Sequence, residues 1–284
     1  MRPRLEAAAV AALFDESFGV AKHGKMLGDG NSYSMGVLGR YNVVLAHMPS
    51  VGKVAAATTA AGVRSSFPNI ELVIVVGICG AVLQGRNGQD INLGDVIISK
   101  GLIQYDMRRR LLGNRILRKD SVYINLPLPR AQIRGTLATL QTLHIDHALS
   151  RKYGNMRRPS GKNWVMRQNT QGQRGTSCLT LHININTANT PPVGYVEPGK
   201  TTLEYCKEQE VVHRASSSKP VIHFGLIGSG NTVMRSGEDR ASIVGRDQVI
   251  AFEMEVAGVW ETFSSVLVIK GASYYADGHK SKRW

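Results

Sequence analysis

"ELVIVVGICGAV", residues 71–82, is the segment that decides the fold expected of this chain. After Glu71, residues 72–76 form an apolar, largely β-branched run, which is typical of a strand over 71–77 that is buried on both faces of a sheet. Gly77 and Gly80 stand where such a strand would end. Glycines there let a ligand approach the backbone and its amide donors, although a tight turn leaving the sheet explains them equally well.

Further strand and helix patterns surround this segment. Apolar runs predict strands, and helical periodicity in small or alanine-rich sequence predicts helices. Strands that alternate with helices indicate an α/β sheet flanked by helices, with ligands expected beyond the strand ends. The predicted strands cover 32–38, 42–48, 71–77, 94–103, 220–230, 249–255 and 266–273, and the predicted helices cover 5–17, 51–67, 128–150 and 256–264.

The net charge of +14 is concentrated in one part of the chain. Residues 107–175 contain 15 of the 35 lysines and arginines but only two of the 21 acidic residues, Asp120 and Asp146. This segment therefore carries +13, and the remainder is close to neutral. A nucleic-acid-binding protein would show a more uniformly basic face, so we interpret the charge as a solvated, irregular insert at about 154–190. Nucleic-acid binding by 107–175 is the weaker alternative.

Composition favours a folded, intracellular protein. Apolar residues make up 43% of the chain and charged residues 20%, which supports a core and argues against disorder. No apolar run approaches the roughly 20 residues that span a bilayer, and the first 16 residues lack the pattern of a secretory signal. The three cysteines are widely spaced, without a C-x-x-C pair, so we expect a reduced, cytoplasmic setting.

Two motifs suggest functions that the surrounding sequence does not support. His144 and His147 have a spacing found among metal ligands, but they end an amphipathic helix and lack a distant third ligand, so no metal is expected. "GLIGSGNTV", residues 225–233, matches a dinucleotide-binding loop only in part, because its last glycine position is Val233. His223 lies in a predicted strand, where a histidine with a satisfied hydrogen bond is the usual outcome.

"AFEMEVAGVW", residues 251–260, places Glu253 and Glu255 in otherwise apolar sequence, and Asp277 follows another apolar run. Burying a carboxylate is costly unless it is paired or solvated, so these acids require partners. Strand alternation would point Glu253 and Glu255 to opposite faces. A helix start, whose positive dipole end attracts glutamates, explains the pair as well as a ligand does.

Six segments, in order along the chain, resemble motifs of the nucleoside phosphorylase superfamily, which includes purine and uridine phosphorylases and methylthioadenosine-type nucleosidases. The resemblance covers roughly residues 1–153 and 191–284. It implies one domain over 1–284 with a central mixed sheet and helices in three layers, in which the first strand and last helix of the family are missing. The segments are "SVGKVAAA" (50–57), "VVGICGAV" (75–82), "LGDVIIS" (93–99), "GLIGSGN" (225–231), "FEMEVAG" (252–258) and "VIKGASYYADGHKSKRW" (268–284).

This resemblance assigns substrate contacts to the segment around Glu255. Met254 and Glu255 match a Met–Glu pair that contacts the ribose, where a carboxylate suits two neighbouring hydroxyls and a thioether packs on the sugar. A negative charge there would also favour an oxocarbenium-like sugar. The other substrate-binding candidates are Phe252 and Ser229 beside the base, Gly77 and Gly80 on the floor of the site, and Glu253.

The catalytic candidates are Glu6 and Asp277. Glu6 is the nearest match to a glutamate early in the first helix that activates water in the nucleosidases. The segment matching the family's general acid reads "KGASY" (270–274), so Tyr274, with a side chain of pKa about 10, replaces the aspartate that helps protonate the purine. Asp277 matches a second aspartate of the family, and a turn residue before Gly278 is at least as good an explanation.

Departures from the family pattern favour hydrolysis over phosphorolysis. Val75 and Ile78 stand where hexameric purine phosphorylases carry the Arg and Ser that grip phosphate. The resemblance thus implies a protein that binds a purine nucleoside or nucleotide and cleaves its N-glycosidic bond with water. It implies no cofactor, phosphate being only the co-substrate of a phosphorolytic reaction. It also implies a homo-oligomer, because relatives often complete the site with a neighbouring subunit. A catalytically inactive nucleoside-sensing or interaction module of the same fold is the alternative.

Overall fold

A computed structural model of the protein describes residues 3–19, 24–110, 112, 116–118, 129–142, 175–178, 211–214 and 220–277. Its helices are α1 (Pro3–Ala11), α2 (Lys53–Ser66), α3 (Ala131–Thr142), α4 (Gly237–Asp247) and α5 (Val256–Trp260). Its strands are β1 (Glu16–Gly19), β2 (Ser32–Leu38), β3 (Tyr41–His47), β4 (Val73–Ala81), β5 (Val96–Gln104), β6 (Arg108–Arg110), β7 (Ile116–Arg118), β8 (Gly175–Cys178), β9 (Val211–Arg214), β10 (Ile222–Ser229), β11 (Val249–Glu253) and β12 (Val266–Tyr274).

The central sheet is mixed and closes on itself. Its strands follow the order β10-β11-β4-β12-β5, and β5 pairs with β10 to complete the ring. β10 runs parallel to β5 and β11, and β12 runs parallel to β4, whereas the β11–β4 and β12–β5 pairings are antiparallel. β1, β2 and β3 form a separate antiparallel sheet. The predicted α/β fold with a central mixed sheet is confirmed.

Helices cover this sheet on two sides. α2 packs against α5, and Ala56 and Ala60 of α2 enter the main hydrophobic core. α3 covers a second apolar surface, where Ile133 and Leu137 pack against Ile98 of β5. The predicted helices over 51–67 and 128–150 are thus present, although residues 143–150 lie outside the described part of the chain.

β4 is longer than predicted, which changes the position of its glycines. The strand continues to Ala81, so Gly77 and Gly80 lie inside it rather than at its end. Both pair with β12 in parallel register, Gly77 opposite Lys270 and Gly80 opposite Tyr274. A turn at these glycines is therefore excluded, and their lack of a side chain leaves room for side chains of neighbouring segments.

The prediction that β4 is buried on both faces is wrong for the first half of the strand. Ile74 and Val76 are 47% and 45% exposed, and Leu72, just before the strand, is 48% exposed. Their alternate neighbours Val73 and Val75 pack against the main core. An apolar run specifies a strand, but the helices that pack on the sheet decide which of its faces are covered.

Two other predicted elements are corrected by long-range pairing. The helix predicted over 5–17 ends at Ala11, because the chain enters β1 at Glu16 and pairs there with Val37 of β2, against its local helix propensity. β8, at Gly175–Cys178, falls inside the predicted irregular insert and pairs antiparallel with β9. The rest of 154–190 lies outside the described residues.

His223 is a buried histidine with a satisfied hydrogen bond, as predicted. Its Nε2 lies 2.8 Å from Oδ2 of Asp95, and the two side chains are 5% and 2% exposed. Asp95 also accepts the backbone N–H groups of Val221 and Asn92. Burial opposes the charged carboxylate, but the hydrogen bonds from these three partners outweigh it and lower the pKa of Asp95. The pair therefore joins the start of β10 to the start of β5.

The described part of the structure contains neither a metal-binding cluster nor a membrane-spanning helix. Within those residues, no group of three or more His, Cys, Asp or Glu side chains could hold a metal ion. No helix among them is both long and apolar enough to cross a bilayer. His144 and His147 lie outside the described residues.

Candidate functional site

Three carboxylates surround one buried ammonium group beside Gly77. Nζ of Lys270 lies 3.4 Å from Oε2 of Glu253 and 3.3 Å from Oε2 of Glu255. A Cβ atom at Gly77 would lie 3.2 Å from this Nζ and 3.5 Å from Oε2 of Glu6. Gly77 thus gives Lys270 and Glu6 the space they occupy. The fold joins Glu6, Gly77, Glu253, Glu255 and Lys270 in one cluster, which we call the Lys270 cluster.

The charged groups of the Lys270 cluster shift one another's pKa. Burial alone favours the neutral amine, but the charges of Glu253 and Glu255 outweigh it and raise the pKa of Lys270. Burial raises the pKa of Glu253. The charge of Lys270 opposes this shift, and the charge of Glu255 adds to it. Burial also raises the pKa of Glu6, with Lys270 opposing and Glu255 adding to the shift. A half-buried carboxylate whose pKa is raised is suited to accept a proton.

Glu253 holds the start of α5. Its side chain is fully buried, and it accepts the backbone N–H groups of Glu255 at 2.9 Å and Val256 at 3.0 Å. The expectation that Glu253 and Glu255 point apart is wrong, because β11 ends at Glu253 and the chain turns into α5, where strand alternation no longer applies. A carboxylate at the start of a helix stabilises the free N–H groups there. Glu253 therefore caps the start of α5, and substrate binding by Glu253 stays a prediction.

Glu255 and Met254 are the partly accessible residues of this segment. The Glu255 side chain is 15% exposed, and its hydrogen bonds with Lys270 and with the Met254 N–H, at 3.3 Å and 3.4 Å, both use Oε2. Lys270 thus holds the carboxylate in place without enclosing it. Ribose binding by Glu255 and Met254 stays a prediction.

Ser229 and Phe252, predicted to lie beside a base, are both buried among protein groups. Ser229 is 0% exposed, its Oγ accepts the Ala257 N–H at 3.1 Å, and its hydrogen bond to Glu253 favours the charged form of that carboxylate. Phe252 is 2% exposed and contacts the Tyr105 ring edge-on, with centroids 5.5 Å apart. Both side chains are therefore enclosed by protein groups, and their position beside a base stays a prediction.

Tyr274 fills the space over Gly80. A Cβ atom at Gly80 would lie 2.8 Å from Cζ of Tyr274, so the glycine makes room for this ring. Its place on the floor of a ligand site stays a prediction. Tyr274 is 7% exposed, and burial raises the pKa of its phenol well above the ordinary value. The phenol therefore keeps its proton at neutral pH. It can donate a hydrogen bond, but it is a poor general acid.

Asp277 lies at the junction of β12 with α4. It is 2% exposed, and its Oδ2 lies 4.0 Å from Nη1 of Arg240, which also donates to the carbonyl oxygen of Tyr275. Burial lowers the pKa of Arg240 to about 10, against the attraction of Asp277. Glu6 has Lys270 as its main charged neighbour. The two catalytic candidates therefore have different ionic partners, and the contacts of Asp277 fit a structural role.

Lys270 is the site residue to which the sequence analysis gave no role. It is a lone lysine in the apolar strand β12, and it is 2% exposed. Because a buried ammonium requires a carboxylate partner, this isolated charge was a signal that could have linked Lys270 to Glu253 and Glu255.

A second network, also not predicted, connects three chain segments near the strand ends. Nζ of Lys53 lies 2.7 Å from Oδ2 of Asp106, which also accepts the N–H of Asn231 at 2.9 Å. Oδ1 of Asn231 in turn accepts the N–H of Lys53 at 3.0 Å. Asp106 borders a cavity of about 410 Å³ lined by Tyr105 and residues 232–236. The network fixes the start of α2 and the turn after β10 beside this cavity.

Comparison with known proteins shows one family across the chain. A family model described as "Phosphorylase superfamily" matches residues 3–261. A nucleotide-binding leucine-rich repeat (NLR)-like protein from Hyaloscypha variabilis is 27% identical over 267 residues. That match covers 90% of this chain and 24% of the relative, so the chain corresponds to only a part of that protein.

Solved structures share the fold at low sequence identity. A 5′-methylthioadenosine/S-adenosylhomocysteine nucleosidase from S. pneumoniae, solved with a transition-state inhibitor, is 18% identical with a TM-score of 0.54, over 98% of this chain and 84% of that one. Futalosine hydrolase of Helicobacter pylori strain 26695 is 17% identical with a TM-score of 0.53, over 99% of this chain and 84% of that one. These likenesses concern the fold alone.

Proposed function

Because the chain belongs to the phosphorylase superfamily, we propose that it binds a purine nucleoside or nucleotide and cleaves its N-glycosidic bond, with water as the acceptor. The observation that carries this proposal is the convergence of Glu6 and Glu255 on Lys270 beside Gly77. It supplies two carboxylates, one to bind the sugar and one to accept a proton.

Glu255 would accept hydrogen bonds from the two neighbouring hydroxyls of the ribose. Its carboxylate is partly exposed and held by Lys270 at 3.3 Å. As the bond to the base breaks, the sugar gains the positive charge of an oxocarbenium ion, which a nearby carboxylate stabilises. Met254, half-buried beside it, would pack its thioether on the sugar.

Glu6 would activate the water. The backbone N–H of Ile78 is directed at its carboxylate, and burial raises its pKa towards the range useful for proton transfer. As the water oxygen bonds to the anomeric carbon, Glu6 takes one proton and the electron pair of the C–N bond leaves with the base. Water as the acceptor is supported by Val75. This apolar side chain packs against the core at the position where, by the family resemblance, the hexameric purine phosphorylases carry a side chain that binds phosphate. Two solved proteins of this fold are described as a nucleosidase and a hydrolase.

A second candidate function is nucleoside sensing without cleavage, and Tyr274 favours it. The leaving base must gain a proton, and Tyr274 stands at the position that the family resemblance gives to the general acid. Its buried phenol holds its proton too tightly to give it up readily at neutral pH. Such a site would bind a nucleoside by hydrogen bonding and release it unchanged.

Base release distinguishes these functions. The protein is incubated with adenosine, inosine, uridine or ATP, with and without phosphate, and the free base is separated by chromatography. We expect purine release independent of phosphate. Glu6→Gln should abolish it, and Glu71→Gln, at an exposed glutamate outside the Lys270 cluster, should not change it. Tyr274→Asp should increase release by supplying a stronger acid.

The same samples test the sensing function. If neither the wild type nor Tyr274→Asp releases base but nucleosides raise the melting temperature saturably, the chain is a sensor. If none of these compounds is cleaved and none raises the melting temperature, both the cleavage and the sensing proposals are refuted.

A further inference from the structure

A cavity of about 680 Å³ lies away from the Lys270 cluster, where β4 and β12 begin. Val73 and Ser265 line it, and the Val73 N–H donates to the Ser265 carbonyl oxygen at 2.9 Å. Val73 lies four residues before Gly77 in β4, so about 13 Å of strand separates the cavity from the cluster, at roughly 3.3 Å per residue. Its volume suits a small organic ligand, which makes it a second candidate binding site.

Two arginines from different segments line this cavity. Arg64 belongs to the last turn of α2, and Arg130 directly precedes α3. Both are exposed, and among the described residues neither forms an ion pair. Glu71 also lines the cavity, without an ion pair to either arginine. Because a guanidinium group stays charged, the cavity has an excess of positive charge that an anion can neutralise.

The Arg64 guanidinium is already held in place. Its Nη1 donates to the carbonyl oxygen of Thr262 at 2.7 Å, and its Cζ lies 5.9 Å from the centre of the Phe263 ring. A carbonyl oxygen orients the group without neutralising it, and its other N–H groups have no acceptor among the described residues. A group fixed before its ligand arrives loses little freedom on binding. Arg64 is therefore suited to bind two oxygens of an anion side by side.

Neutral polar and apolar groups complete the lining. The polar side chains, which can hydrogen-bond to a ligand, are Asn69, Gln132, Ser264 and Ser265. Phe263 is buried but reaches the cavity, and Ile70 is half-buried beside it. A phosphate group alone would fill only part of this volume. The lining therefore fits a ligand that joins an anionic group to an apolar or ring-shaped part.

We propose that this cavity binds the phosphate ester of a small organic molecule. Arg64 and Arg130 would hold the phosphate, because two guanidinium groups match its double charge and present paired donors to its oxygens. A carboxylate carries a single charge and fits the two arginines less well. The organic part would contact Ile70 and Phe263. The site takes no part in the proposed cleavage, so it can be tested apart from the Lys270 cluster.

Phenyl phosphate is the probe, because it joins a phosphate to a ring and lacks the ribose and purine expected at the Lys270 cluster. Isothermal titration calorimetry of the full chain at low salt should show one saturable site with a Kd below about 1 mM. Phenol lacks the charge and inorganic phosphate lacks the ring. Each should bind more weakly than phenyl phosphate by about tenfold or more.

Four variants locate the site. Arg64→Gln and Arg130→Gln should each weaken binding by about tenfold or more, because each removes charged hydrogen bonds to the phosphate. Arg86→Gln, at an exposed arginine that does not line the cavity, removes the same charge and should leave the Kd unchanged. Glu255→Gln should also leave it unchanged, which separates this site from the Lys270 cluster.

Circular dichroism checks that the variants fold. Arg64→Gln also loses the hydrogen bond to Thr262, whereas the Arg130 side chain has no hydrogen bond among the described residues. Arg130→Gln therefore carries the test if the Arg64 variant unfolds.

Four results would overturn the proposal. The first is no saturable binding at about 10 mM phenyl phosphate. The second is an equal Kd in Arg130→Gln and Arg86→Gln, since the arginine of the cavity would then play no part. The third is equally tight binding of inorganic phosphate, which would exclude an organic ester. The fourth is loss of binding in a folded Glu255→Gln variant, which would place the probe at the Lys270 cluster.

Discussion

Lys270→Met should destabilise the fold strongly, because it leaves two carboxylates without their cation. Glu253 is fully buried and Glu255 is 15% exposed, and each has an oxygen within 3.4 Å of Nζ of Lys270. Methionine fills a similar volume but supplies neither charge nor hydrogen bond. The loss is therefore electrostatic rather than a matter of packing.

The magnitude follows from the burial of the cluster. Removing one partner of a buried ion pair costs about 3–5 kcal/mol. We take about 3 kcal/mol, the lower end, because Glu255 reaches solvent and a carboxylate can relieve the repulsion by binding a proton. For a domain of this size each kcal/mol shifts the melting temperature by about 2–4 °C, so a decrease of about 6–12 °C is expected.

The loss of stability in Lys270→Met should depend on pH. The pKa of Glu253 is raised in the folded protein, so the folded state binds this proton more readily than the unfolded state. The contribution of such a carboxylate to the free energy of unfolding rises as the pH falls through its folded pKa. Without Lys270 this pKa moves higher, so the difference in melting temperature from the wild type should shrink between about pH 8 and about pH 5.

Thermal unfolding monitored by circular dichroism at several pH values checks this prediction. Lys100→Met, at an exposed lysine of β5, is the matched control and should change the stability by less than about 0.5 kcal/mol. Adding Glu253→Gln to Lys270→Met should recover part of the loss. A melting temperature within about 2 °C of the wild type at pH 8, or a deficit that grows on acidification, would refute the reasoning.

Two further predictions concern packing and a buried hydrogen bond. Gly258→Ala should lower the stability by about 1–3 kcal/mol in urea unfolding, because its Cβ would clash with the backbone oxygen of Lys53, whereas Gly245→Ala in α4 meets nothing within 4 Å and should stabilise the fold slightly. An equal loss in both variants would contradict this. Asp95→Ala should cost about 2–3 kcal/mol at neutral pH by leaving His223 and backbone donors buried without their acceptor. Since the pKa of Asp95 is lowered in the fold, the difference should narrow as acid protonates this carboxylate in the wild type, and a constant difference down to about pH 3 would argue against it.

The elements of the fold could be predicted where their periodicity is strong. The strands predicted over 71–77 and 266–273 are present because continuous, largely β-branched apolar runs favour strand, although one face of the first half of β4 is exposed. The start of the chain was less predictable. Its alanine-rich sequence favours helix through residue 17, but pairing of Glu16 with Val37 creates a strand. Such pairing is a contact between distant residues, which local propensity does not contain.

The Lys270 cluster was predictable in part. The resemblance pointed to Glu6, Glu255 and Gly77, and the fold brings these three together. Ser229 and Phe252 were placed beside a ligand, yet both are enclosed by protein groups. A motif records which residue types occur near a site, and it does not record which of their atoms other side chains cover.

The sequence by itself determined the strand and helix periods, the family, and the presence of carboxylates that require partners. Only the tertiary structure decided that Lys270 is their shared partner and that Glu253 caps a helix. The physical reason is that periodicity is a property of neighbouring residues, whereas ion pairing and burial depend on the register and packing of segments far apart in the chain.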